Sequence, residues 1–117
     1  MVDDEAAVGG AVRRLLGREH DVVAVTSGRE ALTLLVKGDR FDVIGCDLMM
    51  PDVSGMEFYD EVARRFPWSA ERFFFMTGGT FTPQAQAFLE RTSLTRLDKP
   101  FDSESLREIV RTIGARK

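Results

Sequence analysis

The chain has 117 residues, 44% hydrophobic and 30% charged, with a net charge of −3 and an isoelectric point near 5.2. That length suits one domain over residues 1–117 with enough apolar mass for a core. No apolar run approaches the roughly 18 residues of a membrane span, no Lys/Arg cluster interleaves with aromatics as in nucleic-acid binders, Asp3, Asp4 and Glu5 argue against a secretory leader, and one cysteine, Cys46, excludes an internal disulfide or a multi-cysteine metal site. A cytoplasmic domain is expected.

Val8, Ala11, Val12, Leu15 and Leu16 fall at helical spacing and predict a helix over residues 6–18. Val22 to Thr26 is a short β-branched run and predicts a strand. Ser27 and Glu30 have capping-box spacing ahead of Ala31, Leu32 and Leu35. Phe41 to Cys46 runs apolar into Asp47 and predicts a buried strand. Ser54 and Glu57 form a second capping-box pattern, and Phe58, Val62 and Phe66 give one helical face. Arg72 to Thr77, with three phenylalanines and a methionine, predicts another buried strand. Thr82 then Pro83 caps a helix continued by Ala85, Phe88 and Leu89. Leu94 to Leu97 is a shorter, less apolar strand, and Leu106, Ile109, Val110 and Ile113 place the last helix near residues 102–115. His20 falls in a loop and predicts an exposed side chain; Cys46, inside a strand, predicts a buried small hydrophobe.

Strands alternating with helices imply βαβ units: a doubly wound α/β fold with helices on both faces of a parallel sheet. Ligands of such sheets bind at the carboxyl ends of the strands. Polar residues stand at four such ends: Asp3 and Asp4 after Val2, Asp47 after Cys46, Thr77 after Met76, and Lys99 just beyond Leu97. Three carboxylates brought within about 4 Å repel by a few kcal/mol per pair at an effective dielectric near 20. They stay ionised together only with a cation among them, and an all-oxygen ligand set with open positions suits Mg²⁺. An aspartate held there can attack an activated phosphoryl group, while a lysine and a hydroxyl hold the new oxygens.

Val2-Asp3-Asp4-Glu5, Asp47-Leu48-Met49-Met50-Pro51 with Gly55, Met76-Thr77-Gly78-Gly79 and Asp98-Lys99-Pro100-Phe101 occur in that order and cover nearly the whole chain. Together they resemble the receiver domains of bacterial response regulators and hybrid histidine kinases. The resemblance implies a flavodoxin-like five-stranded parallel sheet in the order 2-1-3-4-5. It implies Asp47 as phosphoacceptor, Mg²⁺ as cofactor, Asp4 as a direct ligand, Asp3 as a ligand mainly through water, and the Met49 carbonyl as a further ligand. Thr77 is expected to hydrogen-bond the phosphoryl group and Lys99 to pair with it. The partner would be a histidine kinase or histidine phosphotransfer protein; neither nucleic acid nor membrane is expected, and a homodimer is allowed. The domain would not be an enzyme acting on other molecules. A degenerate receiver serving as a scaffold is the runner-up, although all five polar positions are retained. An aspartyl-nucleophile phosphohydrolase is disfavoured, because Met49 stands where such enzymes carry a second aspartate to move protons.

Two positions depart from the family pattern. Only Met1 and Val2 precede the acidic pair, so the first strand should be incomplete, with upstream residues or another segment taking its place. Arg96 stands where many members carry an aromatic ring; it should remain at the surface, leaving the surface change to the loop from Gly78 to Thr82. The family also predicts a cis Lys99–Pro100 bond, and Trp68 should lie at the end of the sheet opposite the acidic residues.

Overall fold

A computed structural model describes residues 1–50, 53–78 and 82–115. Three parallel strands pair in the order β1–β2–β3: β1 Ile44–Asp47, β2 Phe73–Thr77 and β3 Thr95–Asp98. β1 and β2 are buried throughout, which is why they read as unbroken apolar runs. β3 buries only Leu97 and is correspondingly polar.

Side chains alternate across the sheet, and β2 shows what each face receives. Phe73 and Phe75 join a cluster with Ala31, Leu35, Phe58, Val62, Ala85 and Phe88, from helices α2 Gly28–Val36, α3 Gly55–Arg65 and α5 Pro83–Thr92. Phe74 and Met76 turn to the other face, meeting Val12 and Leu16 of α1 Ala6–Leu16 and Leu106, Val110 and Ile113 of α6 Ser103–Gly114. The fold is therefore doubly wound, as expected. Tyr59 meets Phe73, Phe75 and Phe88 edge-on at 5.1–5.9 Å between centroids, and such pairs add about 0.5–1.5 kcal/mol each beyond area burial.

The capping signals are realised to different degrees. Ser54 and Glu57 form a full reciprocal box. Ser27 accepts from the Glu30 N–H, but the Glu30 carboxylate takes a bond from the Thr26 hydroxyl instead of closing the box. Thr82 accepts from the Ala85 N–H with Pro83 in the first turn, and Asp102, which the pattern did not single out, caps α6.

The first strand is one bridging residue. Val2 pairs in parallel with Val25 on one side and Cys46 on the other, through Val2 N–H to the Gly45 carbonyl, Asp47 N–H to the Val2 carbonyl and Val25 N–H to the Met1 carbonyl, all 2.8–2.9 Å. The spatial order Val25, Val2, β1, β2, β3 is that of a 2-1-3-4-5 sheet with its first two positions reduced to single residues. The run Val22–Thr26, expected as a strand, contributes only Val25, since a strand needs a ladder partner and Val2 alone supplies one. Ahead of Val2 lies a cleft of about 480 Å³ whose lining includes Met1, Val22, Val23, Phe41 and Val43.

A short helix, α4 Pro67–Ala70, precedes β2 and was not anticipated. It sets Trp68 between the guanidinium groups of Arg40 and Arg72, 4.8 and 3.9 Å from the ring centre. Arg72, expected within the strand, lies just before it, buried, and donates to the Asp42 carbonyl. Trp68 thus sits at the amino end of β2. Among the described residues no helix is long and apolar enough to cross a membrane.

Candidate functional site

Asp47 ends β1 and Thr77 ends β2, while Lys99 follows β3 directly and its N–H donates to the Thr77 carbonyl at 2.7 Å. Asp3 follows the bridging Val2, with its N–H on the Val25 carbonyl. All therefore reach the carboxyl edge of the sheet. Gly55 starts α3 tight against this edge: its N–H donates to the Leu48 carbonyl, and a Cβ at position 55 would collide with the Asp47 carbonyl oxygen and Leu48 Cα. Only glycine permits that approach. The Lys99–Pro100 bond is cis, as expected.

Carboxylate oxygens of Asp3, Asp4 and Asp47 lie within 4.8 Å of one another. Asp3 and Asp47 are buried and Asp4 is exposed. The Lys99 ammonium stands between the two buried groups, 2.8 Å from Asp3 Oδ2 and 3.5 Å from Asp47 Oδ2. The other oxygens take backbone donors: Glu5 N–H on Asp3 Oδ1 at 2.9 Å and Met49 N–H on Asp47 Oδ1 at 3.4 Å. Burial drives the Asp47 carboxyl above its usual range, with Asp3 and Asp4 adding to the effect; Lys99 and the Met49 N–H oppose it without cancelling it. Burial disfavours the charge on Lys99, but the bond to Asp3 and the charges of Asp47, Asp3 and Glu5 outweigh it and raise its pKa. One ammonium among three carboxylates leaves the cluster net negative. Hard oxygen donors facing one exposed side fit a divalent cation such as Mg²⁺.

The structure brings Asp3, Asp4, Asp47 and Lys99 together. Met49 adjoins them through its backbone, with its side chain exposed. Thr77 is buried at the same edge, but its hydroxyl donates to Asp98 Oδ1 at 2.7 Å. In the sequence Asp98 stands in the Asp98-Lys99-Pro100-Phe101 motif without a role of its own; the signal for one is that Thr77 and Asp98 face each other in register across β2 and β3. Arg96 is half exposed, its Nε 3.6 Å from the same Asp98 oxygen, so its head is paired and not simply in water. His20 is exposed and Cys46 fully buried, where desolvation first, then the charge of Asp47, pushes its thiol far above the ordinary range. Pro51 and, from the segment expected to carry the surface change, Gly79, Thr80 and Phe81 lie outside the described residues.

Residues 1–111 match the response regulator receiver domain family. The hydrogenase transcriptional regulatory protein HoxA of Cupriavidus necator is 43% identical over 67 residues, 57% of this chain and 14% of that protein. The sensor kinase CckA of Brucella abortus is 30% identical over 115 residues, 97% of this chain and 12% of that protein. The chain thus spans a small part of these longer relatives. Among solved structures, the chemotaxis protein CheY4 of Vibrio cholerae superposes with a TM-score of 0.81 at 28% identity, covering 96% of this chain and 93% of that one. With the family matched over nearly its full length and the acidic cluster at the carboxyl edge of a flavodoxin-like sheet, this chain belongs to the response regulator receiver domains of two-component signalling.

Proposed function

We propose that residues 1–117 form one receiver domain whose phosphoacceptor is Asp47. The observation that carries this is the Lys99 ammonium held between Asp3 and Asp47, with Asp4 completing a net-negative cluster open on one side. Asp4, Asp47, the Met49 carbonyl and, through water, Asp3 would hold Mg²⁺, which would supply positive charge for the approach of an anionic donor. A carboxylate oxygen of Asp47 attacks phosphorus of a phosphohistidine on a histidine kinase or phosphotransfer protein. The O–P bond forms as the P–N bond breaks, and the imidazole leaves with the bonding pair, taking a proton from solvent. Lys99 then transfers its pairing to a phosphoryl oxygen, and the Thr77 hydroxyl donates to another. The chain accelerates only its own phosphorylation and hydrolysis, which makes it a signalling module and not an enzyme for other substrates. A cytoplasmic site of action follows from that partner. The phosphohydrolase reading lacks its proton-moving carboxylate, since Met49 occupies the place and its side chain is exposed.

Incubation with acetyl phosphate and Mg²⁺, followed by intact-mass measurement, tests the assignment. The wild type should gain the mass of one phosphoryl group and Asp47→Ala should gain none. An adduct retained by Asp47→Ala would reassign the acceptor, and a wild type that is never modified would favour the scaffold reading.

A further inference from the structure

We propose that Asp98 is a positioning residue for this site: its carboxylate holds the Thr77 hydroxyl in the unphosphorylated chain, and Arg96 sets how tightly. The proposal rests on the receiver reading above and adds to it a competition at one proton. Phe75 pairs with Arg96 and Thr77 with Asp98 in parallel register. Residues two apart share a face of a strand, so these four side chains stand on one side of the sheet, that of the aromatic cluster. The Thr77 hydroxyl, 2% exposed, donates to Asp98 Oδ1 at 2.7 Å. The same oxygen lies 3.6 Å from Arg96 Nε, and the side chains of Arg96 and Asp98 are 46% and 74% exposed. A buried hydroxyl at the site edge is thereby tied to an ion pair at the protein surface.

A threonine hydroxyl has one proton to donate. It cannot bond Asp98 and a phosphoryl oxygen on Asp47 together, so phosphorylation must break the first bond to make the second. The guanidinium of Arg96 draws charge from Asp98 and weakens it as an acceptor, which favours release. Once released, the Asp98 carboxylate is left to Arg96 among the described residues, and the pair on the outer strand closes. A charged pair thus takes the output role at the position where the family pattern has an aromatic ring.

The test measures beryllofluoride affinity, with Mg²⁺ present, in the wild type, Asp98→Ala, Asp98→Asn, Arg96→Ala, Thr77→Ala and the Thr77→Ala/Asp98→Ala double variant. Removing Asp98 should tighten binding about 3- to 10-fold, the scale of a charge-assisted hydrogen bond discounted for exposure. Asp98→Asn, which keeps an oxygen acceptor, should fall between wild type and Asp98→Ala. Arg96→Ala, which strengthens the hold of Asp98, should weaken binding about twofold. In the Thr77→Ala background the Asp98 effect should shrink below about twofold, because the hydroxyl it acts through is gone. Tightening that survives undiminished without Thr77, or no tightening at all, overturns the role of Asp98 while leaving the receiver reading intact. A wild type that fails to bind beryllofluoride overturns both. Should Asp98→Ala not fold, Asp98→Asn and Arg96→Ala decide by their opposite signs, and equal or same-direction effects overturn the proposal.

Discussion

The two sides of β1 are built differently. On one side β2 and β3 continue the sheet with four-residue parallel pairings, backed by Tyr59, Phe73, Phe75 and Phe88 in edge-to-face contact. On the other, single bridges through Val2 reach Val25. The site draws from both: Asp47, Thr77 and Lys99 from the laddered side, Asp3 and Asp4 from the bridged one. What fixes the acidic pair is therefore little backbone pairing, the burial of Val2 at 2% exposure, and the Lys99–Asp3 contact at 2.8 Å.

The largest effect expected from this contrast is on stability. Phe75→Ala should cost about 3–5 kcal/mol in urea unfolding, whereas Val2→Ala, with fewer methylenes and a thinner surround, should cost about 1–2 kcal/mol. A larger loss at Val2 would mean that the bridged side carries the fold. Mg²⁺ comes next. At 100 times its dissociation constant it should stabilise the wild type by about 2.7 kcal/mol, and Asp4→Asn, on the bridged side, should lose most of that gain. Equal thermal shifts in the two proteins would remove Asp4 from the metal site.

Acidification gives a smaller effect with a definite sign. The Asp47 carboxyl titrates above 3.8, its ordinary value. Between that value and its folded one the native chain holds more proton than the unfolded chain, so stability rises as pH falls through the window. Without Mg²⁺, Asp47→Asn should be more stable than the wild type at neutral pH, and the gap should narrow on acidification; a widening gap in urea melts would contradict the burial argument. Lys99 works at the alkaline end. It is raised above 10.5, so its contribution is present below that value and lost as pH climbs through the folded one. The smallest response concerns Trp68. Held by Arg40 and Arg72 at the amino end of β2, it should change fluorescence little on addition of Mg²⁺ or beryllofluoride. A large change would show that the two ends of the sheet communicate.

Much of this was legible because burial on both faces leaves a plain mark. Phe41–Cys46 and Arg72–Thr77 read as inner strands, which placed Asp47 and Thr77 at one edge, although the strands themselves begin only at Ile44 and Phe73. Helix starts were legible where a hydroxyl stood three residues before a carboxylate, as at Ser54 and Glu57. The exceptions have physical causes. Val22–Thr26 has strand chemistry, but a ladder also needs a partner, and Val2 alone offers one. α4 is too short to show a period, although Pro67 in its first turn was a usable sign. The bond between Asp98 and Thr77 was not legible, because the partner of Thr77 depends on the register of β2 against β3, which hydrophobic patterning leaves open.

The contact between Lys99 and Asp3 joins residues 96 positions apart. During synthesis the ribosome makes both buried carboxylates, Asp3 and Asp47, long before their built-in counter-charge. Until Lys99 emerges, that counter-charge is missing. A fragment that stops short of β3 carries Asp3 and Asp47 without the ammonium that stands between them in the whole domain.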